Sequence, residues 1–254
     1  MNCRQIALEI FSGSGHFSAA WRRSAHLKHV PIFEIDLKNH PSHDLLSKQC
    51  QNMILGWIRS GLVVAVWLGT PCTSFSRARD VPPGPPPLRS DNQPYGLPGL
   101  SAADQLKVRI GNELAWFSVR VLTLCASLRI AAALENPWTS RIWLFRGFRR
   151  LRRRWKLLAT DYCQDGMPWR KRTGLLSVCV DLTSAVRLCV GPRGICSRTG
   201  ERHVELRGLD NGRFRTLLAE PYPRRLCTRL VSCFKDALIA NKVIPLDFVV
   251  GISG

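Results

Sequence analysis

The residue type in this chain best suited to covalent chemistry is a cysteine at the end of an apolar run. Residues 62–76 read Leu-Val-Val-Ala-Val-Trp-Leu-Gly-Thr-Pro-Cys-Thr-Ser-Phe-Ser. A β-branched run that stops at Gly69 and then delivers Pro71 and Cys72 is the pattern of a buried parallel strand entering a loop. In open α/β sheets the chemistry sits just beyond the carboxyl ends of such strands, so Cys72 stands where a nucleophile would stand. The same cysteine also reads as a small buried hydrophobe at a strand end. Taken alone, this stretch leaves both readings open.

A second candidate site lies earlier. The run from Ile6 leads into Phe11-Ser12-Gly13-Ser14-Gly15-His16-Phe17. Two glycines at a strand end let the backbone bend tightly and approach a ligand, and the helix that follows, with Phe17, Ala20, Trp21 and Ala25 on one side, suits a phosphate, a carboxylate or an adenosyl group. Residues 31–36 form a second strand ending in Glu34-Ile35-Asp36, the place where such a unit puts an acid on ribose hydroxyls. Asp44 follows, ahead of a helix expected over 51–59. Each acid also reads as a helix cap or a solvated loop charge. It is their order along the chain that joins them.

The remaining elements must hold these loops. A Pro/Gly-rich insert over 81–100 reads as extended and mobile. A long helix over 104–128 is expected to bury Leu106, Ile110, Leu114, Phe117, Val121, Leu124 and Leu128. Ile130 to Leu134 is a strand that ends in Glu135-Asn136. Residues 139–158 suggest a basic amphipathic helix, with Leu144, Phe148, Leu151, Trp155 and Leu158 opposite Arg149, Arg150, Arg152, Arg153, Arg154 and Lys156. Strands over 159–163 and 174–182 follow, and a closing helix over 221–240 carries Leu226, Leu230, Phe234 and Leu238 on one stripe, with Pro223 in its first turn.

Composition bounds the partners. The 254 residues carry 37 Lys and Arg against 18 Asp and Glu, a formal charge of +19. Such an excess points to polyanions, nucleic acid first and acidic membrane second. No apolar stretch reaches membrane-spanning length, so no membrane association is expected. Met1 to Gln5 lead directly into a strand without a leader pattern, and the ten cysteines form no Cys-x-x-Cys pair. Both features suggest a reducing intracellular compartment, the nucleus in a eukaryote and otherwise the cytoplasm. Cys179, Cys189, Cys196 and His203 are of metal-ligand type, but their spacing lacks a close cysteine pair and no metal site is expected.

In order, Phe11-x-Gly13-x-Gly15, Glu34-x-Asp36, Gly69-x-Pro71-Cys72-x-x-Phe75-Ser76 and Glu135-Asn136-Pro137 resemble the cytosine-C5 DNA methyltransferase family, in its divergent Glu-Asn-Pro form of phage and mobile-element proteins. The resemblance covers roughly residues 6–180. It implies an S-adenosyl-L-methionine cofactor and double-stranded DNA with the target base flipped out. The same Pro-Cys and Glu-Asn pair also serves RNA methylation. Phe11, Gly13, Gly15 and Pro71 would line the cofactor, Glu34 with Asp36 would meet its ribose, and Asp44 its adenine. Cys72 would attack cytosine carbon 6, with Arg77 and Arg79 favouring the thiolate. Glu135 would engage the ring, and Asn136 would hold the loop. The family's Gly-x-Pro-Gln-x-Arg-x-Arg segment has its counterpart at Gly166-Met167-Pro168-Trp169, where Trp169 replaces the Gln and the arginine register slips by one. Arg170 and Arg172 are the candidates for the catalytic arginine.

The resulting expectation is a doubly wound, mostly parallel Rossmann-like α/β sheet with one antiparallel strand late in it. Residues 1–182 would form the catalytic domain, 183–219 a short target-recognition appendage, and 220–254 a completing helix and strand. The missing Gln, the short appendage and the unrecognisable last family motif also fit a catalytically inactive nucleic-acid-binding relic.

Overall fold

The apolar runs are unbroken because they form the centre of a sheet covered on both faces. In the computed structural model, which describes residues 5–82, 84–210 and 212–244, every residue of β1 (Ile6–Ile10) and β3 (Val63–Leu68) is buried. β2 (Ile32–Ile35) lies on one side of β1, and β4 (Ala131–Pro137) lies beyond β3. β5 (Leu157–Asp161) and β6 (Arg172–Val178) complete the order β2-β1-β3-β4-β6-β5. The first four strands pair in parallel, and β6 runs antiparallel to both β4 and β5. The sheet is therefore mostly parallel with one reversed strand late in the chain, as expected for the Rossmann-like class. Strand order reverses between β1 and β3, and that switch point is where open α/β sheets bind ligands.

Alternation along the strands feeds two cores. Leu8, Ile10, Val66 and Leu68 face α2 (Lys48–Arg59) and α3 (Ala102–Ser127). Ala7, Ala65 and Trp67 face α1 (His16–Arg23) and α5 (Arg224–Ala240). On that second face Phe17 stacks on Trp67 with ring centroids 4.7 Å apart, and Phe234 meets Phe17 edge-on at 5.4 Å. The expected stripe of α5 is buried as read: Leu226, Leu230, Phe234 and Leu238 all lie inside. α2 starts three residues earlier than the sequence suggests, because the Ser47 side chain caps it by accepting from the Cys50 N–H.

Three expectations are corrected. Residues 139–158 are not one helix. A short turn at Arg141–Leu144, α4 (Arg146–Leu151) and β5 divide them. Ile142, Trp143 and Phe145 are buried along with Phe148 and Leu151, so the segment is apolar on more sides than one helix face provides. The exposed arginines 149, 150, 152, 153 and 154 surround α4 and the turn leaving it. In α3, Leu106 and Leu128 are exposed, while Val108, Gly111, Ala115, Ser118, Leu122 and Cys125 face inward. Of the expected stripe, Phe117 and Val121 are buried and Leu114 and Leu124 pack against the core, so the expectation fails at the two ends of the helix.

The insert at 81–100 is pinned rather than mobile. Arg89 is buried, and its guanidinium donates to the Ser74 carbonyl (3.1 Å), Ser74 Oγ (3.0 Å), the Pro94 carbonyl (2.6 Å), Asn112 Oδ1 (2.7 Å) and the Val108 carbonyl (3.1 Å). It also lies 4.0 Å above the Phe75 ring. These acceptors are all neutral, and burial lowers the Arg89 pKa to about 10. Pro83 of the insert and residues 245–254, the end of the 220–254 span expected to supply a completing helix and strand, lie outside the described residues. Among the described residues no helix is long and apolar enough to cross a membrane.

Glu9 sits in the buried centre of β1 on the α1 side, accepting from the Ser18 N–H at 2.8 Å. Burial raises its pKa from the ordinary 4.5 to about 7. A carboxyl raised on folding favours the folded state fully only below its unfolded pKa. That contribution is lost as pH climbs through about 7. We predict that Glu9→Gln raises the melting temperature at about pH 8, where the ionised carboxylate costs about 3 kcal/mol, and changes it little at about pH 5. Thermal unfolding at the two pH values checks this; an equal shift at both would contradict it.

Candidate active site

The chain leaves β1 through a bend in which Phe11 (φ 58°), Gly13 (φ 52°) and Gly15 (φ 66°) are all left-handed. Glycine tolerates this conformation, whereas for Phe11 it is strained. The Gly13 N–H donates to Asp36 Oδ2 at 3.0 Å. A Cβ on Gly15 would lie 2.7 Å from Glu34 Oε2, so the missing side chain is what lets the acid approach. Glu34 also accepts from Arg22 at 2.7 Å. Asn39 Nδ2 donates to Ser12 Oγ at 3.1 Å. The bend thus gathers Gly13, Gly15, Glu34 and Asp36. Asp44 is engaged locally, accepting from the Leu46 N–H at 2.9 Å.

The second loop enters beside this bend. The Gly69 N–H donates to the Ile10 carbonyl at 2.9 Å, carrying the end of β3 against the end of β1. Thr70 is fixed twice: its hydroxyl bonds Ser118 Oγ at 2.7 Å, and its carbonyl accepts from Asn136 Nδ2 at 2.7 Å. Asn136 therefore ties the cysteine loop to β4. Pro71 is exposed, Cys72 is half-buried, and the Phe75 N–H closes a turn onto the Cys72 carbonyl at 2.9 Å. Arg77 and Arg79 do not serve the thiol as expected: Arg77 donates to Asp91 (2.6 Å) and the Thr139 carbonyl (2.9 Å), and Arg79 donates to the Pro86 carbonyl (3.0 Å).

Glu135 is buried at the end of β4. Its carboxylate accepts a short hydrogen bond from Thr173 Oγ1 and one from the Tyr222 hydroxyl at 3.3 Å. Lys171 Nζ lies 3.7 Å away. Lys171 is further held by the Ala219 carbonyl at 3.0 Å and lies 4.8 Å from the centre of the Tyr162 ring. Arg170 and Arg172 are turned elsewhere, onto the buried Asp161: Arg172 at 2.9 and 2.8 Å, Arg170 at 3.4 Å. The cation beside the acid is thus Lys171, not either arginine. Side chains alternate along a strand, and the one-residue slip visible in the sequence exchanges the two sides. That slip was the available signal for Lys171. Tyr222 was signalled only by its flanking prolines.

Electrostatics link the thiol to this group. Burial pushes the Cys72 thiol up from its ordinary range; the Lys171 ammonium opposes that shift, and Glu135 and Glu220 add to it. A thiol, a carboxylate and an ammonium therefore share one electrostatic environment at the carboxyl ends of β3 and β4, beside the glycine bend. Such a set can deliver a nucleophile and stabilise charge on a bound ring. Of the four residues of metal-ligand type, Cys189, Cys196 and His203 come together, joined by Cys163 of the domain rather than by Cys179.

No protein-family model matches the chain, and no curated protein matches it. Among solved structures, the Entamoeba histolytica methyltransferase EhMeth matches at 14% identity with a TM-score of 0.38, over 72% of this chain and 56% of that one. The chain thus spans little more than half the length of that methyltransferase.

We predict that iodoacetamide labels Cys72 slowly near neutral pH and faster as pH rises, because the thiol is held protonated. Lys171→Met should slow labelling several-fold at fixed pH, and Arg77→Ala should leave it unchanged. Peptide mass mapping of the labelled chain provides the rates. An equal rate in Lys171→Met would remove Lys171 from the thiol's environment.

Proposed function

We propose that the chain is an S-adenosyl-L-methionine-dependent methyltransferase that modifies carbon 5 of cytosine in DNA. The observation that carries this reading is that the Thr70–Cys72 loop is tied by Asn136 to the end of β4, where Lys171 lies 3.7 Å from Glu135, and by Gly69 to the end of β1 beside the Gly13–Gly15 bend. Cytosine carbon 5 is a weak nucleophile. Attack of the Cys72 thiolate on carbon 6 makes it enamine-like, and Glu135 would stabilise that attack at ring nitrogen 3 and the exocyclic amine. Lys171 would favour the thiolate and balance the carboxylate. Asn136 would hold Thr70 and so keep the thiol facing the ring. Once carbon 5 had taken the methyl group, with S-adenosylhomocysteine leaving, loss of the carbon-5 proton to water and expulsion of the thiolate would restore the aromatic ring and free the enzyme.

The bend suits the cofactor. Two carboxylates at the end of β2 match a ribose's paired hydroxyls, and an uncluttered glycine backbone suits the methionine portion. S-adenosyl-L-methionine supplies the electrophilic methyl group. The excess of positive charge favours a polyanionic substrate. The exposed arginines around α4 would supply phosphate contacts, and because Glu135 is buried a base would have to leave the duplex to reach it.

Duplex DNA containing 5-fluorocytosine, incubated with the chain and cofactor, should give an adduct that survives denaturing electrophoresis and is lost in Cys72→Ala. Fluorine blocks the proton loss, so the thioether persists. An adduct on matched RNA alone would transfer the substrate to RNA. No adduct on either, with DNA binding retained, would leave a nucleic-acid-binding relic without catalysis.

A further inference from the structure

Residues 183–219 contain little that could hold them folded. Their regular structure is a turn at Thr183–Ala185, the two-residue strands β7 (Leu209–Asp210) and β8 (Arg213–Phe214), and a turn at Arg215–Ala219. From Val186 to Leu209 the only buried residues are Cys189 and Cys196. A segment that buries so little apolar surface needs another constraint, and small domains commonly find it in a cross-link or a metal.

The side chains for a metal are in place. The sulfurs of Cys163, Cys189 and Cys196 and a ring nitrogen of His203 all lie within 4.8 Å of one another. Cys189 Sγ is 3.6 Å from His203 Nε2. A tetrahedral zinc ion with its usual bond lengths sets sulfur and nitrogen about 3.5 Å apart, and two sulfurs about 3.8 Å apart. The three cysteines form their own buried cluster, separate from both cores of the sheet. Donors surround the sulfurs as they would surround thiolates. The Ser197 N–H and hydroxyl point to Cys189 Sγ at 3.3 and 3.5 Å, and Gln164 Nε2 lies 3.5 Å from Cys163 Sγ and 3.8 Å from Cys196 Sγ.

The backbone presents the four ligands from two directions. Cys163 stands in the turn Tyr162–Asp165 that follows β5. Cys196 and His203 belong to a small irregular hairpin, closed by the Cys196 N–H on the Glu201 carbonyl (2.7 Å), the His203 N–H on the Gly194 carbonyl (2.8 Å) and a bridge between Ile195 and Arg202. Cys189 lies on the strand of chain leading to it, its N–H on Asp161 Oδ2 at 2.8 Å.

We propose that Cys163, Cys189, Cys196 and His203 bind one zinc ion that fastens the appendage to the end of β5. Four protein ligands leave no open position, so the ion is structural rather than catalytic. The assignment does not depend on the methyltransferase reading. It departs from the expectation of no metal and takes Cys163 in place of Cys179.

The full chain, purified without chelator, should retain one zinc ion by elemental analysis. Exchange with cobalt(II) should produce the visible bands of a tetrahedral thiolate site. Cys163→Ser and Cys189→Ser should each lose the ion, and Cys179→Ser should keep it. Where a ligand variant fails to fold, native-chain alkylation gives the answer: Cys163, Cys189 and Cys196 should be protected until chelator is added, with tryptic cleavage within 186–209 rising in step. A chain purified under reducing conditions that holds no zinc, alkylation of the three thiols unaffected by chelator, a disulfide joining two of them, or loss of zinc on replacing Cys179 but not Cys163 would each overturn the proposal.

Discussion

The candidate site depends on a residue that has no side chain. A Cβ on Gly69 would lie 2.7 Å from the Phe11 carbonyl and 2.5 Å from the Tyr222 hydroxyl. Without it, the end of β3 bonds the end of β1, and Tyr222 reaches under the loop to Glu135. Three parts of the chain distant in sequence meet at that point: the glycine bend, the cysteine loop and the segment ahead of α5. Any larger residue would separate the bend from the loop by displacing one backbone, and so part the proposed cofactor site from the proposed nucleophile.

The positive charge of the chain divides into two populations. Arg89, Arg141 and Arg229 serve the fold. Arg89 is surrounded by neutral acceptors, Arg141 pairs bidentately with Asp80 and reaches Asp91, and Arg229 pairs with Asp165. Their charge is satisfied internally and adds little to the attraction of a distant polyanion. The arginines around α4 have the opposite character, being exposed and crowded together. Like charges so placed repel one another in the free protein, and a phosphate backbone relieves that repulsion. The proposed polyanionic partner rests on the net charge; the division identifies the exposed arginines as the residues that would meet it.

The order of the glycine bend, Glu34 and Asp36, the cysteine loop and Glu135-Asn136 was legible because each lies at the end of a strand; β2, at the edge, exposes Phe33, while β1, β3 and β4 are buried on both faces. Such strands are written as unbroken apolar runs, and the glycine or proline that ends each run marks the loop. Legibility failed where packing obeys more than one neighbour. Ile142, Trp143 and Phe145 are buried in different directions, so a helical spacing drawn through Leu144, Phe148 and Leu151 fitted a shape the chain does not adopt. The inward face of α3 mixes Phe117, Val121 and Leu122 with Gly111, Ala115 and Ser118, and Gly111, which carries no hydrophobic signal, leaves the room that the Arg89 side chain takes. Cys163 was hidden for a different reason: its partners are brought to it by the path of the appendage, and no local spacing encodes that path.

The two sides of one short stretch connect the appendage to the active centre. Across 170–173, Arg170 and Arg172 turn to Asp161, which also accepts from the Cys189 N–H. Lys171 and Thr173 turn to Glu135. A strand cannot move one set of alternate side chains without moving the other. A shift of the appendage at Cys189 would therefore be transmitted through Asp161 and Arg172 to the ammonium and hydroxyl that hold the buried carboxylate. On this account the metal-fastened segment has a second consequence besides its own folding. It would hold the stretch from which Lys171 faces Glu135, so the proposed zinc site and the proposed catalytic residues would share residues 170–173.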